Sequence, residues 1–229
     1  IAMSIGLFSM GQAQKINLGK AASAVTKGAQ ALSFTNEDAK RLSKESVDWM
    51  DAHNPVAGKN SPYTKRLNRV FGKHQNEDGL KLNYKVYLVT DINAFACADG
   101  SVRVFSSLMD LMTDDELLAV IGHEIGHVKN EDTKDAIKSA YMRAAAQDAA
   151  SSASGVVRKL SDTELGEMAN AILDAKHSKK QESQADEYSY NFMKKHGYNV
   201  VAVYTAFKKL ALLSGGATQS KFQKMMSSH

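Results

Sequence analysis

Two histidines four residues apart enclose a glutamate in His123-Glu-Ile-Gly-His127. On a helix, residues i and i+4 share a face, so both imidazoles point the same way. Such a pair binds Zn²⁺, and Glu124 then stands beside the ion as a general base. Upstream, Thr113-Asp-Asp-Glu116 is a capping box with Thr113 as N-cap, starting a helix that runs to about Lys129. Leu117, Leu118, Ile121, Ile125 and Val128 make an apolar stripe. The histidines fall on nearly the opposite side, which argues against their burial in the core. Gly122 and Gly126 each weaken a helix interior by roughly 0.5–1 kcal/mol, so their use predicts another segment close to the backbone there.

A catalytic zinc takes three protein ligands and keeps one position open. No histidine stands six residues beyond His127, where Thr133 is found. The best third ligand is Glu182, in Glu182-Ser-Gln-Ala-Asp186 on a later predicted helix. Asp186 lies one turn on and faces the same way, where a carboxylate can accept the second ring N–H of a ligand histidine. Without the histidine pair, both acids would read as ordinary solvated positions on a helix.

The elements that must position these groups are mainly helical. Residues 36–50 read as a helix ending near Asn54-Pro55, and Pro62 opens a second that runs to about Lys73. Alternation of Leu82, Tyr84, Val86 and Leu88 with polar neighbours predicts a strand over roughly 84–90. Asp99-Gly100 between residues 94–98 and 101–105 predicts a tight hairpin with a primed turn. The first hairpin strand, Ala94-Phe95-Ala96-Cys97-Ala98, has mostly tiny side chains and reads as an edge open to a partner. Beyond the histidine helix, residues 132–160 read as a mobile lid or an incomplete helix, and helices are expected at roughly 162–176, 180–195 and 199–214. The expected architecture is a single α+β domain, mostly helical with a small antiparallel sheet.

Composition narrows the function classes. Among 229 residues, a 43% hydrophobic content and a net charge of +4 describe a globular chain. That charge is too sparse for a nucleic-acid module, and the basic flank Lys65, Arg66, Arg69 and Lys73 reads as a solvated helix face. The single cysteine, Cys97, excludes an internal disulfide and reads as a small buried hydrophobe. No apolar run reaches the ~20 residues needed to span a bilayer. Residues 1–35 read as an N-terminal segment, either the tail of a secretory signal cut near Ala13 or an arm packed on the domain. The end at His229 carries no helix stop signal, so a continuation is expected.

Several separated segments together carry a family resemblance. They are Tyr84-Lys-Val-Tyr87, Asp91-Ile-Asn-Ala-Phe-Ala96, Gly100-Ser-Val-Arg-Val104, Leu108-Met-Asp-Leu-Met112, Ala119 through Val128, and Glu182 through Tyr188. In this order they resemble the HtpX-like and CAAX-prenyl-endopeptidase group of gluzincin zinc metallopeptidases, above all its small bacterial periplasmic or lipoprotein members without membrane helices. The resemblance covers residues 36–229, taken as the metallopeptidase domain, with a zincin-like fold. It implies one Zn²⁺ per chain on His123, His127 and Glu182, Glu124 as base, and Asp186 behind a ligand histidine. Ser227-Ser-His229 resembles the start of a family segment whose His lies near the metal, as an extra ligand or an oxyanion donor. Residues 94–98 resemble the substrate-pairing edge. A bacterial envelope location on the periplasmic side, with peripheral or lipid-anchored membrane attachment, is implied in the same way.

The expected activity is endopeptidase cleavage of unfolded or flexible polypeptide, lying extended along residues 94–98. The other class is a chaperone-like peptide-binding module with a zinc site, against which the retained base Glu124 argues. A purely structural zinc site would want four closed protein ligands, and only His229 could supply the fourth.

Overall fold

The histidine-bearing helix lies at the centre of the molecule. The computed structural model describes residues 34–147 and 159–213, so nearly all of the 1–35 segment, and His229, lie outside the described residues. In chain order the elements are α1 (Asn36–His53), α2 (Pro62–Phe71), a 3₁₀ turn (Gly72–His74), β1 (Asn76–Glu77), β2 (Leu80–Lys81), β3 (Asn83–Tyr87), β4 (Ala94–Ala96) and β5 (Ser101–Phe105). The helices α3 (Ser106–Leu111), α4 (Asp114–Lys129), α5 (Asp132–Gln147), α6 (Asp162–Leu173), α7 (Lys179–Lys195) and α8 (Val201–Leu213) follow. This is the expected mostly helical α+β domain, and among the described residues no helix is long and apolar enough to cross a membrane.

The capping box forms as expected. The Thr113 backbone N–H donates to Glu116 Oε2 at 2.8 Å, and Glu116 N–H returns a bond to Thr113 Oγ1 at 3.3 Å. Lys209 Nζ reaches the same Glu116 Oε2 at 2.6 Å and ties α8 to the start of α4. Part of the basic flank on α2 turns inward as well, unlike the expected solvated face. Arg66 donates to Asp114 at 2.8 Å and to the carbonyls of Met109 and Met112, so it clasps the entry to α4.

From Glu116 to Val128 every residue is buried except Glu124, which is half-buried. The expected division into an apolar stripe and an open histidine face is therefore wrong: α5 and α7 cover the polar side too. The glycine reading holds. A Cβ on Gly126 would stand 3.0 Å from the Cα of Ala185 and 3.0 Å from Cβ of Tyr188, and one on Gly122 would stand 3.1 Å from the Phe192 ring. At Gly126 backbone thus lies against backbone where α4 meets α7, so close that a side chain there would have to push α7 back by a few tenths of an ångström.

The main sheet is mixed, where an antiparallel one was expected. Its order is β3-β5-β4, with β5 parallel to β3 and antiparallel to β4. The 88–93 connection carries the chain past one strand position, and the hairpin returns β5 into the space left, where it must run parallel to β3. Among the described residues, only the short β1–β2 pair is a purely antiparallel sheet. The hairpin turn is also not the primed type. Cys97 N–H donates to Ser101 O and Gly100 N–H to Cys97 O, closing a three-residue loop in which Gly100 alone has a left-handed φ, +87°. Gly100 is further fixed by space, since a Cβ there would stand 2.0 Å from the Lys81 carbonyl oxygen.

β4 is the edge of its sheet among the described residues, as anticipated, and packs beside α4. Its side chains point into core: Ala94 and Ala96 join the cluster containing Ile121 and Ile125, while Phe95 and Cys97 join Val47, Met50 and Phe105. The helix expected over 162–176 ends at Leu173, the one expected from 199 starts at Val201, and the strand ends at Tyr87. Residues 132–147 form the packed helix α5, with Ile137 and Tyr141 buried against Phe34, Leu42 and Met168, so no lid is found there. Residues 148–158 lie outside the described residues.

Candidate active site

α4 sends His123 and His127 into one polar chamber, and α7 brings Glu182 to it. The Nε2 atoms of the two histidines are 3.0 Å apart. Glu182 Oε2 lies 3.6 Å from His123 Nε2, and Oε1 lies 3.8 Å from His127 Nε2. Each ring is held from behind by a carboxylate. His123 Nδ1 is 3.0 Å from Asp186 Oδ1, and His127 Nδ1 is 2.9 Å from Asp132 Oδ2. Both carboxylates hold their ring with the proton on Nδ1. Two acceptor lone pairs then face each other across the Nε2–Nε2 gap, an arrangement that repels unless a proton or cation lies between.

A divalent ion fits this geometry. Tetrahedral bonds of about 2.0–2.1 Å to Zn²⁺ place ligand atoms roughly 3.3 Å from one another. The observed separations of 3.0, 3.6 and 3.8 Å bracket that value. The set of one carboxylate and two imidazoles is one that could hold a metal.

The electrostatics agree with the placement. Burial alone would lower the His123 pKa, but the Asp186 hydrogen bond and the charges of Glu124, Asp186 and Glu182 raise it. Burial and the neighbouring His123 hold His127 below the ordinary imidazole value against the pull of Asp132. Burial pushes the Glu124 carboxyl up to about 7, with His123 opposing and Glu182 adding to the rise. A divalent cation beside it would favour the carboxylate and draw that value back down. Burial also pushes the Cys97 thiol well up, consistent with an inert packed cysteine.

All of the expected residues within the described region except the 94–98 edge converge on one chamber: His123, Glu124, His127, Glu182 and Asp186. Of the 94–98 segment, β4 packs beside α4 with its side chains in the core rather than in the chamber. Sequence reasoning missed Asp132, which does for His127 what Asp186 does for His123. The signal is an acid five residues past His127, next to Thr133. Gln181, whose amide donates to Asp132 Oδ1 at 2.8 Å, was missed as well. So were His177, stacked on the His127 ring at 3.9 Å, and Phe207, packed on His123 with ring centroids 4.8 Å apart. No local pattern marked these three.

The chain is similar to known proteins over this whole region. The model of Peptidase family M48 matches residues 63–229. Metalloprotease YcaL of Escherichia coli (strain K12) is 42% identical over 194 residues, covering 84% of this chain and 76% of the relative. Metalloprotease LoiP of the same organism is 38% identical over 223 residues, covering 97% of this chain and 88% of the relative. The chamber of two histidines and a glutamate sits inside the matched region, and the chain belongs to Peptidase family M48, as a metallopeptidase.

Proposed function

We propose that the protein is a zinc-dependent endopeptidase acting on unfolded or flexible polypeptides. The observation that carries this is the convergence of His123, His127 and Glu182 beside Glu124, the one residue left half-open in an otherwise buried stretch of helix. Those three side chains would hold Zn²⁺, which when bound would supply the Lewis acidity for the attacking water and the scissile carbonyl. Glu124 takes a proton from the attacking water and delivers it to the leaving amine as the C–N bond breaks. Asp186 and Asp132 fix both histidine tautomers and stabilise positive charge on the rings.

Substrate lies extended along β4 and pairs with its main chain. The buried side chains of Ala94, Phe95, Ala96 and Cys97 leave little but backbone to read at that edge, which favours broad sequence preference and flexible substrates. Ala98, expected on the same edge, lies instead in the hairpin loop beyond the end of β4. His229 acts near the metal, as a further ligand or a donor to the oxyanion, a role that rests on resemblance. The same resemblance supports a place in the bacterial cell envelope, on its periplasmic side with peripheral or lipid-anchored attachment, and a part in protein quality control there.

The test is cleavage of casein by metal-loaded protein, with and without chelator, alongside Glu124→Gln. Chelator-sensitive cleavage by the native chain, lost in Glu124→Gln with zinc content unchanged, is expected. Full activity in Glu124→Gln would remove the assigned base. Casein binding without cleavage by zinc-loaded native protein would point to the peptide-binding module instead.

A further inference from the structure

A second convergence of imidazoles and a carboxylate lies away from the chamber and shares no residue with it. His74 closes the 3₁₀ turn before β1, Glu77 lies in β1, and His196 is the C-cap of α7. His74 and Glu77 are 2% and 3% exposed, so this is no chance meeting of surface side chains. His74 Nδ1 is 3.3 Å from Glu77 Oε2, and His196 Nε2 is 3.0 Å from that same oxygen. The three ligand-type atoms form a mutually close group.

The ring arrangement matches that of the histidines on α4. The His74 and His196 rings have centroids 4.4 Å apart and cross at 70°, against 4.7 Å and 84° for His123 and His127. The third close histidine pair, His127 and His177, stacks at 18° and presents ring faces to each other. Crossed rings can turn one nitrogen each toward a common point, which stacked rings cannot.

Two of the three candidate ligands, His74 and Glu77, are also held from their far side. Tyr198 Oη lies 2.7 Å from His74 Nε2, where it can accept the Nε2–H and leave Nδ1 as the donor atom. Lys195 Nζ lies 2.6 Å from Glu77 Oε1 and fixes the carboxylate through the oxygen not shared by the two rings. Outer partners of this kind orient ligands in metal sites. Two imidazoles with one carboxylate suit Zn²⁺ and its late first-row neighbours, whereas Ca²⁺ and Mg²⁺ take oxygen.

We infer that His74 Nδ1, Glu77 Oε2 and His196 Nε2 form a second site, of three protein ligands, for a zinc-class divalent ion that fastens the turn and β1 to the end of α7. The ion joins segments 119 residues apart in sequence, from Glu77 to His196. It takes no part in peptide hydrolysis, so it stands whether or not the protease reading does.

The test counts metal on the full-length chain, stripped with chelator and titrated with Zn²⁺ by calorimetry, and with Co²⁺ by its visible absorption. Native protein is expected to take two equivalents. His196→Gln should take one, keep its casein cleavage, and lose part of the rise in Tm that Zn²⁺ produces in the native chain. His123→Ala/His127→Ala should still take one equivalent, which a further His196→Gln removes. One equivalent in native protein and the same one in His196→Gln would overturn the site. So would a second equivalent that survives both His196→Gln and His74→Gln. The native and His196→Gln stoichiometries decide the matter even where the double alanine chain fails to fold.

Discussion

Asp132 Oδ2 stands 2.9 Å from His127 Nδ1, the ring position that Asp186 occupies on His123 at 3.0 Å. The two carboxylates come from different elements, Asp132 from the first turn of α5 and Asp186 from the middle of α7. Removing either charge should weaken Zn²⁺ binding by about 10–100-fold, the usual effect of losing a carboxylate behind a ligand histidine. Asp132→Asn and Asp186→Asn, competed against a chromophoric chelator, measure this. Affinity unchanged in Asp132→Asn would deny that residue its role.

Glu182→Ala should lose more than either asparagine variant, because it removes a direct ligand. Zinc occupancy after gel filtration is the readout, and far-ultraviolet circular dichroism checks that α7 persists. Glu182 is half-exposed, at 48%, so its truncation should cost little fold stability. Full occupancy in the folded variant would require a different third ligand.

The helix contact predicts an order of stabilities. Gly126→Ala drives a methyl against the Ala185 Cα at 3.0 Å, which is backbone, whereas Gly122→Ala meets chiefly the Phe192 ring edge at 3.1 Å. A ring edge can rotate aside more readily than a backbone can shift. Overpacking costs about 1–3 kcal/mol, offset by about 1 kcal/mol of helix propensity. Gly126→Ala should therefore be the less stable in urea unfolding, and it alone should lower zinc occupancy by spreading Glu182 and Asp186 from the histidines. Equal stability of the two variants would contradict the backbone contact.

Acid should unfold the metal-free protein partly through Asp51. Burial would raise its carboxyl, but hydrogen bonds from Arg103, Lys85 and Tyr87 bring it down from 3.8 to about 2. A carboxylate lowered by folding adds stability above its ordinary pKa and loses it as pH falls through the folded value. The fall in Tm between about pH 4 and pH 2 should accordingly be shallower in Asp51→Asn. At pH 7 that variant should be less stable by about 3–5 kcal/mol, because Arg103, 2% exposed, loses its charged partner. Parallel Tm–pH curves for the two proteins would remove Asp51 from the acid transition.

The parts legible in the sequence were those set by local spacing. Thr113 and Glu116 marked the helix start within four residues, the paired histidines marked its reactive side, and Gly122 with Gly126 marked the crossing of α7. Glu182 and Asp186 were found because a zinc ion demands a third ligand and their spacing puts both on one face. What escaped depended on chain segments meeting at long range. Only folding shows that α5 and α7 bury the histidine side of α4, or that β5 slips between β3 and β4. Asp132 was hidden because Glu131, at φ +62°, reverses the chain after α4 and returns the next residue to the helix it has just left. His74 and His196 belong to no motif, and their nearness is a product of the turn before β1 meeting the end of α7.

The glycine seam between α4 and α7 bears on how the molecule comes apart. With Gly126 and Ala185 backbones in contact, neither helix can slide without separating the whole pair. The amides of residues 119–128 should thus exchange with deuterium only when the entire domain opens, even after chelation. Chemistry would then reside in the slowest-exchanging segment of the protein, and stripping the ion would silence it long before the scaffold gives way.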